Sequence, residues 1–77
     1  MVEKKWCLIE KRISRVEDTT VLPFIKKEDA INAGDNYWRN TTEDEKRYID
    51  ALFVALIDYD YYMEGYWKIY EIDKEWK

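Results

Sequence analysis

The stretch "YIDALFVALIDYD", Tyr48 to Asp60, decides the fold, because its apolar run suits two different elements. Wound as a helix, it places Ile49, Leu52, Phe53 and Leu56 on one face. Extended as a strand, it sets Leu52, Val54 and Leu56 opposite Phe53, Ala55 and Ile57. Periodicity alone cannot separate a buried strand from a buried helical segment over so few residues. The rest of the chain makes the choice. A single sheet of three or four strands needs a central member apolar on both faces, and no other segment qualifies. We therefore read a helical turn ending at about Tyr48 and a central strand from about Ala51 to Asp60.

Downstream, "DYDYYMEGYW" (Asp58 to Trp67) packs five aromatic rings and three carboxylates into ten residues. A turn near Met63-Glu64-Gly65 leads into "GYWKIYEID" (Gly65 to Asp73). There Trp67 and Ile69 alternate against Tyr66, Tyr70 and Ile72, as a partner strand requires. The tail "KEWK" carries Trp76, which either packs back or stays exposed.

Upstream, "KKWCLIEKRISRV" alternates Cys7, Ile9 and Ile13 with Trp6, Leu8 and Glu10, which suits a strand. "EDTT" (Glu17 to Thr20) reads as a turn, and "TVLPFI" (Thr20 to Ile25) as a second strand. Pro23 has no N–H to give a ladder, so that strand belongs at a sheet edge. The segment "KKEDAINAGDNYWRN" is a helix over about 27–40. Ala30, Ile31, Ala33, Gly34, Tyr37 and Trp38 fall within an arc of roughly 160° at helical spacing. Glu28 and Asp29 in the first turn suit the helix dipole. Gly34, inside the apolar arc, lets the helix backbone approach the sheet, at a cost of about 1 kcal/mol relative to Ala. In "TTEDEK", Thr42 followed by Glu45 has the spacing of a capping box, which starts a short second helical turn. The expected architecture is α+β: a ββαββ two-layer domain, one main helix packed on a small antiparallel sheet.

Seventy-seven residues make one domain, 1–77, with no room for a second core. A chain of this length buries only about 60% of its unfolded surface, and Cys7 is its only cysteine, so no disulfide helps. Four Trp, seven Tyr and two Phe compensate, each bringing roughly 150–250 Å² of buriable area. The start, "MVEKKWCLIEKR", flanks a four-residue apolar patch with charges, too short for the core of a signal peptide. No apolar run approaches the ~18 residues of a membrane span. One unpaired cysteine points to the cytoplasm.

The run "AINAGDNYWRNTTEDEKR" followed by an apolar strand resembles short uncharacterised proteins of Gram-positive bacteria and their phages. In those, a helix ending in an aromatic-Trp pair leads to a Thr-x-x-Glu-Lys turn and then a strand. The matching residues here are Tyr37, Trp38, Thr42, Glu45 and Lys46. The resemblance covers about a quarter of the chain. It implies a compact ββαββ-like domain and carries over no active-site residue.

The chain has no histidine, which removes the commonest general base and metal ligand together. One cysteine cannot form a thiolate cluster, so neither a zinc site nor a histidine-based triad is expected. With glycine only at Gly34 and Gly65, no phosphate-cradling loop fits. Counted from Asp58 as a calcium loop, positions 5, 6 and 12 are Tyr62, Met63 and Ile69, where an oxygen ligand, glycine and glutamate are needed. A two-carboxylate glycosidase would need a cleft for which 77 residues leave little room. Cys7, between Trp6 and Leu8, reads as a buried structural thiol. We expect no enzyme activity, no cofactor and no metal.

Charge is uneven. Residues 1–40 carry eight Lys/Arg and seven Asp/Glu, and residues 41–77 carry five and ten, hence +1 and −5. An acidic half repels a phosphate backbone, so direct nucleic-acid binding is not expected. Tyr and Trp are enriched at protein interfaces. The expected function is a small non-enzymatic protein-interaction module. Its candidate surface is Asp58, Asp60, Tyr61, Tyr62, Glu64, Tyr66 and Trp67, facing a protein partner or a second copy in a homodimer. The alternative is an acidic nucleic-acid mimic, an inhibitor of a nucleic-acid-binding protein, with Asp58, Asp60, Glu64, Glu71 and Asp73 imitating phosphates.

Overall fold

A computed structural model describes residues 4–13, 18–58 and 68–77. Among these, the elements run β1 (Lys4–Arg12), β2 (Asp18–Phe24), α1 (Lys27–Asn40), α2 (Glu43–Lys46), β3 (Ile49–Asp58) and β4 (Ile69–Glu75). The strands form one antiparallel sheet in the order β2-β1-β3-β4, and α1 packs on it. This is the α+β, ββαββ arrangement expected from the sequence.

The ambiguous run is a strand. It starts two residues earlier than the boundary read from the sequence, at Ile49 rather than Ala51, and is described as far as Asp58; the end read at Asp60 lies outside the described residues. Leu52 and Val54 lie under α1 with Leu8 and Ala30, while Phe53, Ala55 and Ile57 join Cys7 and Ile9 on the other face. Ile49 belongs with Leu52 and Val54 despite its odd spacing. Lys11 pairs with Ala51 and Arg12 with Ile49, so Asp50 is a bulge that resets the alternation. Each large aliphatic side chain buried here stabilises by about 1.5–3 kcal/mol, which a half-exposed helix would forgo on one side.

A second central strand was not foreseen. β1 lies between β2 and β3, and Cys7, Leu8 and Ile9 are buried in succession, so it too is apolar on both faces. Ile13 lies past its end and is exposed. The residues Asp18 to Thr20 are strand rather than turn, paired with Arg12, Lys11 and Glu10. β2 is an edge strand, as Pro23 requires.

The apolar arc of α1 faces the sheet. Ala30 and Gly34 are buried, and Ile31, Ala33, Tyr37 and Trp38 pack around the same cluster. Thr42 caps α2 as its spacing implied, its Oγ1 accepting the Glu45 N–H at 3.1 Å. The cap opens α2, which closes at Arg47 just before β3 begins. Among the described residues, no helix is long and apolar enough to cross a membrane.

β4 departs most from its sequence pattern. It runs to Glu75, and the ladder continues through Trp76 and Lys77, which exchange backbone bonds with Leu52. Its register against β3 shifts twice, leaving Tyr70 and Asp73 as extra residues. Ile69 then pairs with Ile57 and Ile72 with Ala55, so the two isoleucines share one face of the sheet. Simple alternation had set them on opposite sides. The strand start read at Gly65 and the turn at Met63-Glu64-Gly65 lie outside the described residues.

Candidate functional site

Of the seven residues singled out from the sequence, Asp58 alone is among those described; Asp60, Tyr61, Tyr62, Glu64, Tyr66 and Trp67 lie outside them. Asp58 is the last residue of β3, and its Oδ2 accepts a hydrogen bond from the Tyr70 hydroxyl at 2.9 Å. Two ammonium groups lie against the Tyr70 ring, Lys4 Nζ at 4.1 Å and Lys68 Nζ at 4.9 Å from its centroid. The bond to Asp58 holds the Tyr70 phenol above its ordinary pKa, because the carboxylate stabilises the neutral donor. Asp58 Oδ1 is buried with no hydrogen-bond partner among the described residues.

Further along β4, the charges divide into tied and untied groups. Lys74 Nζ donates to Asp35 Oδ1 at 2.8 Å, and the Trp76 indole N–H donates to the same oxygen at 2.9 Å. These bonds, Lys74 first, draw the Asp35 carboxyl below its ordinary pKa. Asp73 pairs with Lys27 of α1 at 3.4 Å. Glu71 and Glu75 make no ion pair among the described residues. Every residue of β4 is exposed, Ile69 and Ile72 each by 47%. Beside them β4 presents a strand edge with no neighbour among the described residues.

At the opposite end of the sheet, Arg12 joins three elements. Its Nε donates to Glu10 at 3.0 Å, Nη2 to the Tyr37 hydroxyl at 2.9 Å and Nη1 to Glu45 at 3.4 Å. Tyr37 and then Glu10 raise the Arg12 pKa further above its already high value. Burial, reinforced by Glu10, raises that of the Tyr37 phenol, against the pull of Arg12. Glu10 Oε2 is buried without a hydrogen-bond partner among the described residues. These groups tie β1 to α1 and α2.

Cys7 is buried, and desolvation pushes its thiol up to about 11, with Lys5 pulling weakly the other way. A thiol held in that form is a poor nucleophile. Among the described residues, no group of three His, Cys, Asp or Glu side chains could hold a metal ion.

The sequence reading names Glu71 only as a phosphate mimic and leaves Trp76 either packed back or exposed; it contains neither the edge position of β4 nor the ties of Lys74 and Trp76 to Asp35. Gly34 was the available signal for the junction, since a glycine in a helix's apolar arc leaves room for a close neighbour; that space is filled by the Trp76 ring rather than by the sheet backbone. The edge left no such signal, because two bulges set its alternation. Comparison with protein-family models, with curated proteins and with solved structures found no match.

Proposed function

We propose that this chain is a non-enzymatic interaction module that engages a protein partner through its acidic, aromatic C-terminal half, with β4 as the docking edge. The observation that carries the reading is the β4 edge, unpaired among the described residues and flanked by the half-exposed Ile69 and Ile72. A free strand edge offers a row of backbone donors and acceptors to an extended segment, and alternate side chains supply the selectivity. The other edge, β2, is interrupted by Pro23 and is less suited to this use. The cytoplasm is part of the reading, supported by a free thiol with no second cysteine to pair with. Its buried, unactivated state also favours a binding role over catalysis.

Nucleic-acid mimicry draws less support. Asp58 is engaged by Tyr70 and Asp73 by Lys27, and Lys4, Lys68 and Lys74 stand among the carboxylates. Such interleaving breaks the uniform negative potential that a phosphate mimic needs.

Affinity capture with the intact chain and two variants tests the module reading. Tyr61→Ala/Tyr62→Ala alters the aromatic segment, and Ile69→Lys/Ile72→Lys alters the flank of β4. A partner retained by the intact chain and lost by both variants is expected. Partners kept at full yield by both would overturn the reading.

A further inference from the structure

The last strand is fastened differently from the rest of the sheet. Both apolar clusters draw all their buried members from β1, α1 and β3. Every residue of β4 is exposed, and its pairing with β3 shifts register twice. Of residues 68–77, Trp76 alone packs against either cluster as a partly buried side chain.

The other side-chain ties of β4 lie at its surface. The Tyr70 hydroxyl donates to Asp58, Lys27 pairs with Asp73, and Lys74 pairs with Asp35. Partly exposed ion pairs hold an element weakly, because water and salt screen them. Trp76 is the exception. Its ring fills the space over Gly34, and its indole N–H donates to Asp35 at 2.9 Å. Its backbone N–H donates to the Leu52 carbonyl at 2.8 Å, and the Leu52 N–H donates in return to the Lys77 carbonyl at 2.7 Å.

An element with few buried apolar contacts and solvent-exposed backbone bonds opens at a lower free energy than the core it leans on. We infer that β4 and the two residues after it form a conformational latch, held shut by Trp76 on Gly34 and Asp35, which opens as one unit while β1, β2, β3 and α1 stay folded. Opening bares the β3 edge from Leu52 to Asp58, a run buried on both faces, and frees its backbone groups to pair with another strand. The latch does not depend on what binds the outer edge of β4, so it stands apart from the module reading.

Native-state hydrogen exchange on the full chain, followed by two-dimensional NMR at low urea, provides the test. Three amides report the latch: Leu52 and Asp58, which donate to Lys77 and Lys68, and Trp76, which donates to Leu52. The amides of Cys7, Leu8 and Ile9 on β1 report the core. The latch amides are expected to share one protection factor, roughly tenfold or more below that of the core amides, and a smaller dependence on urea. Ile9→Val trims the core away from β4. It should speed core exchange roughly two- to tenfold and leave the latch amides unchanged. Trp76→Phe removes the indole N–H and part of the ring. It weakens the closed state against both the open and the unfolded one, so it should speed latch and core exchange by the same factor. One protection factor and one urea dependence for all six amides, or latch amides that respond to Ile9→Val, would overturn the latch. So would latch amides that exchange singly at unrelated rates.

Discussion

The indole of Trp76 lies against Gly34, where a Cβ on the helix would run into Cη2, Cζ3 and Cζ2 of the ring. A residue next to the end of the described chain thus packs on the middle of α1, with its N–H bonded to the adjacent Asp35. Gly34→Ala tests the contact through a reversal of sign. In an open helix the change gains about 1 kcal/mol. Here it is expected to cost about 1–3 kcal/mol by overpacking. In a Trp76→Ala background the same substitution should stabilise. Urea unfolding of the four chains measures both signs, and a stabilising Gly34→Ala in the presence of Trp76 would show that the ring is elsewhere.

Asp35 gives the junction a pH dependence. Its folded pKa is lowered by Lys74 and Trp76, so its contribution to stability is present above the unfolded carboxylate value of about 3.9. That contribution is lost as pH falls through the lower folded value. Between neutral pH and about 3, Asp35→Asn should therefore lose less stability than the parent chain. Melting temperatures of the two proteins across that range provide the check.

Arg12 is expected to matter more than its partial exposure suggests. Exposed pairs such as Arg47–Asp44 contribute only a few tenths of a kcal/mol. The Glu10 side chain, by contrast, is only 14% exposed and has Arg12 as its ion-pair partner at 3.0 Å. Arg12→Met should cost about 1–3 kcal/mol by leaving that carboxylate short of a partner. Adding Glu10→Gln should recover part of the loss. An additive double mutant would show that the two groups do not interact.

Cys7 should react slowly with alkylating reagents. A shift from 9.0 to about 11 lowers the thiolate fraction near neutral pH roughly a hundredfold, before burial restricts access further. Iodoacetamide labelling is expected to be near zero in native buffer and complete in denaturant. Because the folded pKa is raised, the contribution of Cys7 to stability is present below about 9 and is lost as pH rises towards 11.

Leu52→Ala removes a fully buried side chain from the cluster beneath α1 and should cost about 2–5 kcal/mol. In a chain of this size that is a large fraction of the stability available. Loss of cooperative unfolding by circular dichroism is the expected outcome.

Much of the architecture is legible residue by residue. The two apolar faces of β3, the edge position forced by Pro23, the inward arc of α1 and the cap on Glu45 by Thr42 all arise from neighbours in sequence. Local geometry and the period of apolar residues are sufficient for those. The β4 register was not legible, since bulges at Tyr70 and Asp73 bring Ile69 and Ile72 to one face only when β3 is alongside. Nor was the interior place of β1, because alternation reveals the two sides of a strand but not how many neighbours it has. Of the candidate surface, Asp58 was foreseen, while its bond to Tyr70 and the untied Glu71 and Glu75 were not.

What the amino-acid order determined by itself, then, is the set of elements and their class: a sheet with one main helix, without histidine, disulfide or glycine-rich loop. What only the tertiary structure decided is which groups from distant parts of the chain meet. Trp76 finds Gly34, Lys74 finds Asp35, Arg12 finds Tyr37 and Glu45, and β4 is left at the edge. The physical reason is range. Helix and strand formation respond to spacing over a few residues, whereas packing and ion pairing depend on distances that exist only after the sheet has closed its order.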